Sequence, residues 1–516
     1  MSMTIDRNLP PRALWPDYQY RLPELTYPTT LNLADALLGH ATVDPGKCAI
    51  RFRGESVSYE ALLRRTITLA AGLAAIGVNP EDRVGLRLPN SPDFVAAWLA
   101  IQWLGAICVQ VPTQYRRREI VQILNHSEPS AVICDSSFLI DFATVLKTVS
   151  HATALVMSGR REDAHVIDDD VVFLEDTVVD GSRAPTPYPS RRDQPAVITY
   201  VAGDDGGLKG AVHSPAGILA SADTYARNVL HLSSSDVCVG TTGLGWAFGL
   251  GALLTFPLRV GATTVLADGP LPLLQAIAAE RATILFSVPT MYRMLLRHPN
   301  LDRQQVSTLR CCVSAAEPLP AELVDQWRRR TDLDIVDGFG TTELTHIFIS
   351  ARPGDVRPGF IGTVVPGYEA RIVDSNMQDM ADGRAGLLAV RGPTGARYWR
   401  NAEAQRRAVR DGWTLTGDIC VRQADGWFQH IRRADTLVVS AGYKIAVCEV
   451  ERVLEEHPDV ASARVFSVPD PIRGAVTNAI VVRARGVNGA GLSERLQDYL
   501  KAELAPFKCP RSIQVL

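Results

Sequence analysis

"ITYVAGDDGGLKGAVHS" (residues 198–214) runs an apolar strand, Ala196-Val197-Ile198-Thr199-Tyr200, into glycines and then a lysine, Lys209. That is the layout of a phosphate-holding loop, in which backbone N–H groups and a lysine converge where a strand ends. The middle of the loop departs from this chemistry. Val201 and Ala202 stand where hydroxyls belong, and Asp204 and Asp205 lie between Gly203 and Gly206. The question is why two carboxylates occupy the place of a polyphosphate.

Around this stretch, helix-period and strand-like runs alternate from about residue 60 onward. "SYEALLRRTITLAAGLAAIG" reads as a helix, "RVGLRLP" as a strand, and "SPDFVAAWLAIQWLG" as a helix with a serine N-cap. The pattern recurs through "AICVQVP", "SAVICDS", "ATALVMS", "GATTVLAD", "TILFSVP", "LRCCVSA" and "DIVDGF". Short apolar strands alternating with helices predict an α/β fold with parallel sheets, whose ligands collect at the carboxyl ends of strands. After about residue 360, "YEARIVD", "GLLAVRG" and "GWFQHIRR" predict a β-rich subdomain over 360–434. A compact α+β unit over 435–516 follows, giving a large domain over 1–434 and a small one with its boundary at Asp435.

The chain has 516 residues, nearly half of them hydrophobic, and a net charge of −3, an ordinary globular balance. No basic stripe points to nucleic acid. The opening "MSMTIDRNLPPRALWPDYQYRLPE" has no apolar segment of a secretory signal, and no apolar run is long enough for a membrane span. The nine cysteines form no C-x-x-C pair, which argues against disulfides or a zinc site and for reduced residues of a cytoplasmic protein. Oligomeric state is not legible at this level, a dimer included. The P-loop pattern G-x-x-x-x-G-K-[ST] is absent, since Gly210 follows Lys209.

More specific are five stretches taken in order: 198–214, "CVSAAEPLP" (312–320), "DGFGTTE" (337–343), "GWTLTGD" (412–418) and "IRRADTLVVSAGYKIAVCEVE" (431–451). Together they resemble the adenylate-forming superfamily of acyl- and aryl-CoA synthetases, with wording closest to the 2-aminobenzoate-CoA and benzoate-CoA ligase branch. The resemblance implies a two-step reaction. A carboxylate attacks the α-phosphate of ATP to give acyl-AMP; the small domain then rotates, and CoA thiol displaces AMP. It assigns Ala316, Glu317, Asp337 and Phe339 to the adenine, Thr342 to the α-phosphate, Glu343 to Mg²⁺, and Asp418 and Arg433 to the ribose. Asp435 falls at the hinge. Ser440, Ala441, Gly442 and Tyr443 line the CoA channel, with Lys444 beside it. Trp246 and Phe248 wall the acyl pocket and Gly340 floors it, a pocket suited to a bulky or aromatic acid. Substrates are acyl-AMP or ATP, and CoA; no tightly bound cofactor is implied.

Against that family's T-S-G-T-T-G-x-P-K-G loop, this chain lacks all four hydroxyls. Each lost charge-assisted hydrogen bond is worth roughly 1.5–3 kcal/mol. Two like charges ~4 Å apart at an effective dielectric of about 20 repel by about 4 kcal/mol. The family also continues to a Thr-Gly-Lys lysine used in adenylation, beyond the Leu516 at which this sequence stops. Both features touch adenylation, while Thr342, Asp418, Arg433 and Gly442 remain. The expectation is an enzyme of the thioesterification half-reaction, fed acyl-AMP by a separate adenylating enzyme. The alternatives are a complete two-step ligase and a non-catalytic binder of acyl-adenylates.

Overall fold

The computed structural model describes residues 7–138 and 185–516, and between them short stretches that include the strands Ala154–Ser158 and Val171–Phe173. The first six residues of the opening stretch lie outside the described residues. The fold is the α/β adenylate-forming architecture expected, with a large N-terminal part and a small C-terminal unit.

Two large sheets dominate the N-terminal part. The first has seven strands, parallel from Val171–Phe173 through Ala131–Asp135, Arg83–Arg87 and Ile107–Gln110 to Val197–Ala202, and ends in the antiparallel Leu208–His213. The second has nine, with parallel neighbours such as Ile284–Ser287, Cys311–Ser314 and Ile335–Gly340 at its centre. Strands such as Ile284–Ser287 are buried at every residue, which is why they read as continuous apolar runs and not as alternation. Pro92–Trp103 belongs to the main core and buries every residue but Asp93. It starts where Ser91 Oγ accepts from Phe94 N (3.1 Å) and Pro92 takes the first helical position.

The site rests on a few elements: α1 (Arg117–Ser127), β1 (Val197–Ala202), β2 (Leu208–His213), β3 (Trp413–Arg422), β4 (Phe428–Arg433), α2 (Val447–Glu455) and α3 (Leu492–Glu503). β3 and β4 belong to a five-stranded antiparallel sheet. α2 and α3 cover a three-stranded sheet, with a core of its own that includes Ile445, Val450, Leu454, Leu496 and Leu500. α1 was not singled out in the sequence, and it proves to be the face on which the C-terminal unit sits.

Candidate active site

The loop of residues 203–207 is the turn of the β1–β2 hairpin, closed by Gly203 N to Gly207 O (2.7 Å). Its carboxylates face the loop itself. Asp204 Oδ1 lies 2.9 Å from Lys209 Nζ, and Asp205 Oδ1 accepts from Gly207 N (3.0 Å). The Lys209 ammonium holds the Asp204 carboxyl below its ordinary range. The picture of two carboxylates repelling phosphate directly is therefore incomplete: they also occupy the cation and one N–H that a phosphate would need. Val201 and Ala202 present apolar side chains to the adjoining cavity. The loop serves as a rest for the C-terminal unit as well. Arg452 Nη2 donates to Asp205 O (3.0 Å), and Gly206, at φ +80°, comes so close that a Cβ would lie 3.2 Å from Cys448 Sγ and Glu449 N.

Ala316, Glu317, Asp337, Phe339, Asp418, Arg433 and Lys444 line one small cavity at the ends of the second sheet's strands. Burial raises Asp337 to about 8 although its carboxylate accepts from Gly338 N (3.1 Å), and raises Glu317 to about 7 against hydrogen bonds from Thr290. Asp418 behaves oppositely. Burial would raise it, but a hydrogen bond from His430 and the charges of Arg433 and Lys444 hold it low. Arg433 Nη1 donates to Asp418 Oδ2 (2.9 Å), and its Nε donates to Asp435 Oδ1 (3.1 Å), so the arginine expected at the ribose also holds Asp435, the residue expected at the hinge.

A larger cavity of about 490 Å³ adjoins it and is lined by Phe248, Gly340, Thr342, Ala441, Gly442, Tyr443 and Lys444. Lys444 borders both cavities, so it stands at their junction. Burial and the neighbouring Arg433 lower its pKa, opposed by Glu343, Asp418 and Asp435. Gly442 sits at φ +84° with its Cα facing Ala316; an added Cβ would lie 3.5 Å from the Ala316 methyl and occupy the gap between the two domains. Burial works against the charged form of Glu343, but Lys444 and Tyr398, whose Oη donates to Oε1 (2.8 Å), hold its carboxyl below the ordinary range. Among the described residues no cluster of three or more acidic, His or Cys side chains forms a metal cage. Mg²⁺ would fit here only on Glu343 together with the oxygens of a bound phosphate.

Trp246 lines the larger cavity, as Phe248 does, and has contacts beyond it. Its ring packs on Tyr115, Tyr443 and Phe507 (centroids 5.3, 5.4 and 6.4 Å), so it joins the seam between domains, whereas Phe248 packs on His346 and Phe286. Ser440 is buried at the turn end of the hairpin that pairs Leu437–Ser440 with Tyr443–Ala446.

Several participants were not foreseen. His346 borders the cavity with a buried Nδ1 that has no hydrogen-bond partner among the described residues, and burial lowers its pKa to about 3. Its only sequence signal was its place three residues after Glu343. Across the seam, Lys508 Nζ lies 2.9 Å from Glu119 Oε1 on α1 and 2.7 Å from Glu449 Oε1 on α2, and all three are buried. Ala505 N also donates to Glu119 Oε1 (2.9 Å), and Arg118 Nε donates to Glu503 on α3 (2.7 Å).

Fold and site together define an AMP-binding enzyme: residues 38–399 match the family model for AMP-binding enzymes, and residues 449–516 match that for the AMP-binding enzyme C-terminal domain. The chain belongs to this family, in its acyl- and aryl-CoA ligase branch. It is 31% identical to the benzoate–CoA ligase of Thauera aromatica, over 96% of this chain and 95% of the relative. Among solved structures it resembles the anthranilate CoA ligase AuaEII in complex with anthranoyl-AMP (30% identity, TM-score 0.75, 95% and 94% of the two chains). It also resembles the amide bond synthetase McbA of Marinactinospora thermotolerans (27% identity, TM-score 0.84, 94% and 96%). Among the described residues no helix is long and apolar enough to cross a membrane.

Proposed function

We propose that this protein catalyses the thioesterification half-reaction, converting a preformed acyl-adenylate and CoA to acyl-CoA and AMP, with adenylation lost or strongly impaired. The observation that carries this is the self-satisfied loop: Lys209 is paired with Asp204, the hydroxyl positions are apolar, and Arg452 of the C-terminal unit rests on the Asp205 carbonyl. ATP needs that loop for its β- and γ-phosphates. An acyl-adenylate has neither.

In this reading adenine lies along Ala316, Glu317 and Phe339, and Asp418 accepts from the ribose. The acyl group, from a bulky or aromatic acid, enters beside Phe248. Thr342 donates to the α-phosphate, and the Lys444 ammonium faces the same phosphate from the cavity junction. The thiol sulfur enters past Gly442 and attacks the acyl carbonyl carbon. The C–S bond forms as the bond from that carbon to the phosphate oxygen breaks, AMP leaves with the electron pair, and the thiol proton passes to solvent. Mg²⁺, when bound at Glu343, adds charge neutralisation. Asp435 acts as the hinge between the domains.

The test supplies ATP, CoA and acid in one mixture, and acyl-AMP with CoA in another. Thioester from the second alone supports the proposal. Pyrophosphate released at comparable rate from the first favours a complete two-step ligase. Tight acyl-AMP binding without any transfer favours a binder. The likeness to an amide bond synthetase motivates a second acceptor in the same assay, an amine in place of CoA.

A further inference from the structure

We infer that His430 is a positioning residue of the nucleotide cavity, setting its preference for a ribose through Asp418. The inference rests on the adenylate-binding reading above.

The geometry comes from an irregularity in the β3–β4 pairing. Asp418 pairs with Arg433 and Ile419 with Arg432, but Cys420 pairs with His430, so Ile431 is skipped. In a regular strand, residues three apart point to opposite faces. The extra residue of a bulge cancels that alternation. Ile431 is the residue turned out, 47% exposed. His430 and Arg433 thereby reach the same carboxylate: His430 Nε2 donates to Asp418 Oδ1 (3.0 Å), and Arg433 Nη1 donates to Oδ2 (2.9 Å). An ionised carboxylate only accepts, so Nε2 carries the proton. The imidazole is held in turn by Phe339, 5.5 Å away and tilted by 31°. Asp418 is 2% exposed and gripped on both oxygens, which fixes its plane. Each oxygen keeps a lone pair for a vicinal diol. Removing the His430 donor frees one oxygen and lets the carboxylate turn away from that diol.

The test uses His430→Phe, which keeps a ring against Phe339 without the donor, and His430→Gln, which keeps a donor. Asp418→Asn serves as reference. Binding of AMP and 2′-deoxy-AMP is measured by calorimetry, and kcat and KM for acyl-AMP are measured in parallel. The native protein should prefer AMP. In His430→Phe, AMP affinity should fall about tenfold, the equivalent of ~1.4 kcal/mol, with the preference over 2′-deoxy-AMP reduced and kcat near native. His430→Gln should recover both affinity and preference. An unchanged preference in His430→Phe, with the preference lost in Asp418→Asn, overturns the role given to His430. A preference that survives Asp418→Asn overturns instead the assignment of Asp418 to the ribose.

Discussion

Asp337 shows how a single residue ties the nucleotide cavity to pH. Burial lifts its carboxyl from the ordinary 3.8 to about 8. The unfolded chain therefore sheds this proton first, and stability falls as pH rises between those two values, by at most about 1.4 kcal/mol per pH unit for one proton. Asp337→Asn removes that dependence. Thermal unfolding from about pH 5 to about pH 8 should show the variant gaining on the native protein as pH rises; a constant gap would deny the raised value. At the loop, replacing Val201, Ala202, Asp204 and Asp205 by Thr, Ser, Thr and Thr returns four hydroxyls and frees Lys209. ATP-dependent pyrophosphate release should then appear or rise, while transfer from acyl-AMP changes less than about threefold, a shift below ~1 kcal/mol. Loss of transfer in a folded variant would mean that the loop serves the thiol step. The loop's departures were legible because they are substitutions within a short motif. The pairing of Asp204 with Lys209 was not, since it depends on where a hairpin turn directs two side chains.

Between elements, α1 is the mooring of the C-terminal unit. Arg118 reaches α3 while Glu119 joins Lys508 and Glu449 in a buried triad. Burial works against the Lys508 ammonium, but the two carboxylates outweigh it and hold its pKa above the ordinary value. Truncating one partner of such a group costs more than the pair contributes, of order 3–5 kcal/mol when the remaining charges stay buried. Lys508→Met leaves Glu119 facing Glu449 and should open the seam. The expected signs are faster proteolysis at residues 434–436 and transfer slowed by at least about tenfold, or ~1.4 kcal/mol. Glu119→Gln, which leaves Lys508 one carboxylate, should be milder. Equal, native-like proteolysis in both would contradict the mooring. Nothing in the sequence announced this triad, because Glu119 lies hundreds of residues before Glu449 and Lys508, which are themselves 59 residues apart, and each alone resembles a solvated charge. The apolar strand runs, by contrast, were legible over much of the parallel sheets, where burial on both faces leaves a local signature, though Cys48–Phe52 and Val237–Gly240 were not picked out.

At the scale of the whole molecule, both domains meet around the cavities in one arrangement: Gly442 against Ala316, Trp246 edge-on to Tyr443 (5.4 Å), and Arg452 on the loop. This arrangement puts the hairpin of Leu437–Ser440 and Tyr443–Ala446 at the cavity junction, where the proposed acyl-transfer step would use it. If that step is the enzyme's task, restricting the hinge should matter little. Asp435→Pro, which fixes φ near −65°, should retain transfer from acyl-AMP to within about tenfold, whereas a two-step enzyme needing both orientations should lose its ATP-dependent cycle. The proposed division of labour rests on which motifs survive and which do not; the docked orientation was not legible in the sequence, since it is set by contacts across the seam. The most direct measurement is pyrophosphate release by the native protein with ATP, Mg²⁺ and a panel of aromatic acids, run beside thioester formation from the matching acyl-adenylates. The account predicts thioester from the adenylates with pyrophosphate release at least about a thousandfold slower, a barrier difference of ~4 kcal/mol. Pyrophosphate release that keeps pace with thioester formation would contradict it.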